Sequence, residues 1–270
     1  MRGVCLVRHA RRMDVGYFGP DSVTWRVHRE PTALVGGLRA LILQALYPPA
    51  MQLMARTSNF ADDPWLRLQG TAQYVAEITF GTSEEADAAA ARVRRIHAGL
   101  GIDDPDMLRW VHACEVDSFL AASASAGLGL SRTEEDRYVH EQAEAACLVG
   151  LNATEVPADR PSLDAYFRRI RPDLRATAEA RRATRVVIAP PIPAPTRLIV
   201  PARVGWSAIS ALAVGLLPGW ARRLYGLPPI PGSRLATAGG MRSLRMGMRM
   251  LPEHVREGPT YRRAKLRLAG

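Results

Sequence analysis

Segments with apolar residues three and four positions apart follow one another along nearly the whole chain. Each is cut off by proline, glycine or a capping residue, and very few stretches show the alternation a strand requires. In TALVGGLRALILQALY, residues Leu34, Leu38, Leu41, Ile42, Ala45 and Leu46 share a helical face, and Pro48 and Pro49 end the run. Asp62-Asp63-Pro64 reads as an N-cap followed by a helix-opening proline. It launches WLRLQGTAQYVAEITF, which stops at Gly81. Thr82 or Ser83 caps the next segment, with Glu84 and Glu85 in its first turn, and Gly99 or Gly101 closes it. There Ala88, Ala91, Ile96 and Leu100 are expected to form the apolar stripe, with His97 at its edge. Ser131 to Glu134 spells a capping box. Further helices are expected from Pro105, at 162–170, 172–185, 205–217 and 233–250, with an extended proline-rich crossing at 190–201.

The fold class that follows is all-α, a single multi-helix domain, and no period of 20–50 residues suggests a repeat array. Its expected parts are an irregular N-terminal arm over 1–24, a helical body over 25–226, and a basic C-terminal helix or tail over 227–270.

Charge narrows the function classes less than its size suggests. The net charge is +10 over 270 residues, almost all of it arginine, with Lys265 the single lysine. The arginines are scattered, and only the stretch from Met241 onward is basic with little acid to offset it. Such a tail can touch an anionic polymer or lipid surface, but no reader motif accompanies it, so no specific nucleic-acid partner is expected. A basic nucleic-acid-associated helical protein stays as a third reading. Cys5, Cys114 and Cys147 have neither disulfide nor zinc spacing and read as reduced thiols. The opening MRGVCLVRHARR lacks the apolar centre of a secretory signal, so a cytoplasmic location is expected. The run WSAISALAVGLLP at 206–218 is too short to span a bilayer. Burial is the expectation there; peripheral membrane contact through 205–217 or the basic tail is the alternative.

Several catalytic signatures fail on inspection. Cys5-Leu6-Val7-Arg8-His9 resembles the start of a histidine-phosphatase strand, but helices follow where an α/β chain is needed. His140-Glu141-Gln142-Ala143-Glu144 lacks the second histidine of a zincin helix, and no Glu-x-x-His pair serves a di-iron bundle. Six histidines remain: His97, His112 and His140 on helices, His9 and His28 near expected loops, and His254 in the tail. A buried arginine needs an anionic partner, which singles out Arg39, and with it the neighbouring Gln44, inside the apolar first long helix.

The order of short motifs carries more weight than any one of them. Arg29-Glu30-Pro31 is followed by Gly36-Gly37-Leu38-Arg39-Ala40-Leu41 with Gln44 and Pro48. Asp63-Pro64-Trp65-Leu66-Arg67-Leu68 with Thr71, Phe80-Gly81-Thr82, Arg94 with His97, and Trp110-Val111-His112-Ala113 with Asp117-Ser118 come next. Tyr138 with Glu141, Gly150, and Leu216-Leu217-Pro218 with Arg222 and Tyr225-Gly226 complete the series. In this order the motifs resemble the family of MpaB oxygenases and the latex clearing protein, a rubber oxygenase.

The resemblance implies a helical arrangement distantly related to globins around a pocket for haem b. It implies a haem-dependent oxygenase working with O₂ on an apolar small molecule, isoprenoid or aromatic. His97 matches the family's proximal iron ligand, while Arg67 and Thr71 match residues needed for haem binding or activity. Arg39 and Gln44 are expected to help hold the cofactor, Arg39 or Arg67 by pairing with a propionate, and His112 is a catalytic candidate beside it. At Gly70 the chain departs from the rubber enzyme, which has there a lysine able to cap the distal iron. A non-enzymatic haem or lipophilic-ligand binder on the same scaffold is the alternative function.

Overall fold

The computed structural model describes residues 14–57, 64–102, 104–191 and 196–269, without the side chains of 55–57 and 196–201. The phosphatase-like stretch around His9, with Cys5, and the cap at Asp62-Asp63 lie outside the described residues. Among those described there are helices and no strand, so the fold is all-α. The helices are α1 (Val23–His28), α2 (Ala33–Gln44), α3 (Pro48–Thr57), α4 (Pro64–Phe80), α5 (Ser83–Leu100), α6 (Pro105–Ser125) and α7 (Arg132–Leu148). They continue as α8 (Arg160–Ile170), α9 (Ala178–Ile188), α10 (Thr196–Gly215), α11 (Gly219–Leu224), α12 (Ser233–Arg249), α13 (Glu253–Arg256) and α14 (Pro259–Ala269).

The capping chemistry sits where the sequence places it. Thr82 accepts from the Glu85 amide while Glu85 returns the bond, and Ser131 and Glu134 do the same at α7. Asp104 caps α6 ahead of Pro105. The apolar stripe of α5 differs: Ala86, Ala89 and Ala90 are buried, whereas Ile96 is exposed. Small side chains let α5 lie close on α4, and the larger Ile96 falls outside that contact. Residues 23–28 also differ: they form a helix that starts inside the expected irregular arm and ends on His28, which was expected near a loop. Ser22 caps it, and the Glu141 carboxylate accepts from the Val23 and Thr24 amides at its N-terminus. That anchor comes from α7 and is invisible locally. Helix α10 begins at Thr196, inside the expected extended crossing.

The flanks of the expected body are packed, not loose. Phe18 is buried with Ile78, Ala86 and Leu148, and Asp14 accepts from the Ser83 amide. Helix α12 places Met241 in the main core, and its Arg245 pairs with buried Glu30 at 2.7 Å. Helix α14 packs on α4, where Tyr261 and Trp25 both meet Phe80 edge-on. The basic tail is thus anchored at points: Arg245 and Arg267 turn inward to Glu30 and the Phe80 carbonyl, and Met241, Thr260 and Ala264 are buried, while Met246, Met250 and Leu266 stay exposed.

The main core is built around the α2–α6 pair. Gly36 makes that approach possible: a Cβ there would lie 3.0 Å from the Phe119 ring and 3.2 Å from the Ser118 carbonyl. Across the same contact Arg39 is buried, and each of its three side-chain nitrogens donates a hydrogen bond. It donates to Ser118 Oγ at 2.6 Å, to Asp117 Oδ2 at 2.7 Å and to the Leu216 carbonyl at 2.9 Å. Asp117 also takes Arg160 of α8 at 3.3 Å. One guanidinium therefore ties α2 to α6 and to the end of α10.

Removing Arg39 leaves the buried Asp117 carboxylate with only the partly exposed Arg160 at 3.3 Å, at a cost of about 3 kcal/mol. Arg39→Met should lower the urea midpoint accordingly. Arg39→Met combined with Asp117→Leu should recover part of the loss, because the second change removes the under-compensated carboxylate while Arg160 keeps Asp164.

Candidate cofactor and active site

Helix α6 is stepped so that His112, Glu115 and Phe119 share one face, while Asp117, Leu120 and Ala124 lie on another. The second face, with Arg39, borders a polar cleft of about 500 Å³ that also takes in Arg160, Arg168 and Trp220. The first face turns toward α1, α2 and α7, and there the buried titratable groups collect.

His112 is buried, and desolvation pushes its imidazole down to about 4. Glu115, one turn on, is pushed up to about 7 by burial, against a hydrogen bond from the Gln44 side chain that favours the charged form. Gln44 also reaches the Val111 carbonyl at 3.4 Å. The Glu115 charge is felt by Tyr138 of α7 and by Tyr74 of α4, both raised mainly by burial. Tyr138 is hydrogen-bonded to His28 Nε2 at 2.9 Å, and His28 Nδ1 to Thr79 Oγ1 at 2.7 Å. His28 also lies 4.6 Å from the Phe119 ring, and burial pushes it down to about 3. Thr79, His28 and Tyr138 thus form a hydrogen-bonded thread leading toward the Glu115–Gln44 pair.

The other half of the site is the antiparallel α4–α5 hairpin. Arg67 and His97 are nearly equidistant along the chain from Gly81, so hairpin geometry brings them to the same end. His97 is half-buried; its Nδ1 is buried without a hydrogen-bond partner, and desolvation lowers its pKa. The Tyr74 hydroxyl on α4 is likewise buried and unpartnered, between the charges of Arg94 on α5 and Glu115 on α6. Arg94 itself donates to the Leu148 carbonyl. Arg67 is exposed by surface, yet partial enclosure lowers its pKa. Thr71 is exposed and gives its hydroxyl to the Arg67 carbonyl at 3.0 Å. A Cβ at Gly70 would meet nothing within 4 Å, so the hairpin is open at that position.

The six residues singled out from sequence fall into three places. Arg67, Thr71 and His97 share the hairpin. Gln44 and His112 lie toward one end of the α2–α6 contact. Arg39 lies further along the same contact, with its donors given to Asp117, Ser118 and Leu216. Sequence reasoning missed Glu115, His28 and Tyr74. The Tyr138 and Glu141 positions were visible as motif members, but their roles, holding His28 and capping α1, depend on α1 lying against α7.

Over residues 25–261 the sequence matches the model of the family described as ER-bound oxygenase mpaB/B'/Rubber oxygenase, catalytic domain. The chain belongs to this oxygenase family. The match runs from Trp25 in α1 into α14, past the boundary at 226 and across the packed C-terminal helices. No curated protein and no solved structure matches the chain. Membership in an oxygenase family implies a small-molecule substrate and O₂ in general.

The buried groups of this mpaB/rubber oxygenase domain pull stability in opposite pH directions. Glu115 has a folded pKa of about 7 against a reference of 4.5. Its favourable share is complete below about 4.5 and is lost as pH rises toward 7. His28 and His112 have folded values below the 6.5 reference, so their share is complete above 6.5 and is lost as pH falls toward 4. Glu115→Gln should therefore stabilise the protein at pH 8, on the order of 2 kcal/mol, and lose that advantage by pH 4.5. His112→Gln should instead flatten the acid limb. Chemical denaturation at a series of pH values checks both.

Proposed function

We propose that the chain is a haem-b-dependent oxygenase that works with O₂ on an apolar small molecule, with His97 as the axial iron ligand. The observation that carries the reading is the unpartnered, buried Nδ1 of His97 on a hairpin that also bears Arg67 and Thr71. The globin-like arrangement implied by the resemblance is part of the same proposal.

The donor set fits the group. Among the described residues no three His, Cys, Asp or Glu side chains gather as a metal site. A haem asks less of the protein, a single axial side chain and a carboxylate partner for its rim. A lowered pKa keeps the His97 imidazole neutral at pH 7, the form that binds metal. Arg67 supplies positive charge at the same end of the hairpin for a propionate, and Thr71 a hydroxyl one turn along. When bound, the haem supplies the capacity to activate O₂.

The remaining residues set the surroundings. Glu115 titrates near neutrality and can hold or release a proton on the inner face of α6, with Gln44 orienting it. His112, His28 and Tyr138 stay neutral in the physiological range and serve as hydrogen-bonding groups, not charges. Leu68 and Val75 on α4 pack against the main core and present an apolar wall on the same helix as Arg67 and Thr71.

An absorption spectrum of protein titrated with haemin, beside His97→Ala, tests the reading. Wild type should show a Soret band at one haem per chain, and the variant should lose or shift it. A colourless wild type that takes up no haemin would overturn the reading. An unchanged variant spectrum would remove His97 as ligand and point to His112. O₂ uptake with an isoprenoid olefin separates an oxygenase from a haem carrier; no uptake by the haem-loaded protein would leave only carriage.

A further inference from the structure

Helices α10 and α12 cross tightly at one end and part at the other. At the crossing a Cβ on Gly215 would fall 2.2 Å from Thr237 Oγ1, and one on Gly240 would fall 2.7 Å from the Leu212 side chain. Beyond that point a cleft of about 760 Å³ opens, closed at its far side by the end of α9 and the loop before α12. Its walls are largely apolar, with Ile188, Ala211, Val214, Ile230 and Ala236 among them. Ile230 is exposed although it lines the cleft, a cost that an apolar occupant would remove.

The polar groups of the cleft are few and neutral. Ser207, Ser210, Ser233 and Thr237 bring hydroxyls. Ser210 is only 5% exposed, and its Oγ has no hydrogen-bond partner among the described residues. Among the described lining residues Arg222 is the one that carries charge, and its guanidinium is turned to the Val214 and Pro228 carbonyls. A carboxylate or phosphate would find no dedicated counter-charge, whereas a hydroxyl or carbonyl would find the Ser210 hydroxyl. A buried polar atom left unpaired costs about 1–3 kcal/mol, so a ligand that satisfies it gains over a plain hydrocarbon.

We propose that the cleft between α10 and α12 is a binding site for a neutral lipophile, an apolar chain with one hydrogen-bonding head such as a long-chain alcohol, received by Ser210. It lies off α5, the helix that bears His97. Helix α10 packs on α2, α9 and α12 and meets α4 where the Trp206 ring lies 4.8 Å from that of Trp65, whereas α5 packs on α4 and α7. The inference therefore does not rest on the haem reading, and either can fail alone.

Binding of NBD-labelled dodecanol to the full chain, followed by fluorescence, tests it. Saturable binding at one site per chain is expected, displaced by 1-dodecanol and at least tenfold less well by dodecyl phosphate. Ala211→Trp, which fills the cleft, should weaken binding at least tenfold while haemin uptake is unchanged. Ser210→Ala should weaken dodecanol about fivefold, the worth of one hydrogen bond. A diazirine-bearing dodecanol should photolabel wild-type peptides within 186–237, a readout that needs no variant. Absence of saturable binding, equal displacement by dodecyl phosphate, or labelling confined to α4–α6 would overturn the proposal.

Discussion

The buried guanidinium of Arg39 is the fixed point of this structure. It sits where α2 and α6 approach most closely, and its bonds reach two adjacent residues of α6 and the carbonyl that ends α10. A charge so placed is tolerable only if every donor is answered. Those answers fix the rotation of α6 about its axis. Once Asp117 and Ser118 face Arg39, His112 and Glu115 must face the other way, toward α1 and α7. The polar cleft and the buried titratable thread are thereby assigned to opposite sides of one helix. Arg39 thus orients α6 while itself bordering the polar cleft.

The thread itself shows how burial converts ordinary residues into tuned ones. His28, His112 and Glu115 carry no unusual neighbours in sequence. Desolvation holds the two imidazoles neutral and brings the carboxyl to about 7, the range useful for proton handling. The α4–α5 hairpin is built differently. It is a locally specified pair, joined at Gly81 and set by the Thr82–Glu85 box. It bears His97 with a buried nitrogen that no described residue satisfies. Local hairpin and long-range thread meet at Tyr74, which lies on α4 and feels charges from both α5 and α6.

Legibility followed the range of the interactions. Capping boxes at Thr82 and Ser131, the Asp104-Pro105 start and the apolar period of α2 are written within a few residues, and each was readable. The hairpin grouping of Arg67, Thr71 and His97 was readable too, because chain length and one turn determine it. The Ala86–Ala90 contact face of α5 was not, since any of its alanines could have turned inward and α4 chose among them. Glu115 was passed over for a similar reason: a glutamate one turn after a histidine looks like an ordinary helix-surface residue until neighbours enclose it. The tail beyond Met241 read simply as basic because composition counts charges without showing that Arg245 and Arg267 are engaged with Glu30 and the Phe80 carbonyl.

What the sequence determined alone is therefore the all-helical class, the helix starts marked by caps at Thr82, Asp104 and Ser131, and the family to which the ordered motifs belong. These rest on capping, proline and glycine geometry, and periodicity, all of which act over one or two turns. The tertiary structure decided which face of each helix is inside, that Arg39 is spent on Asp117 and Ser118, and that Glu115, His28 and Tyr138 share a desolvated interior. Those outcomes depend on contacts between residues far apart in the chain, such as Arg39 with Leu216 or Glu30 with Arg245, whose energies arise only when the helices have already met.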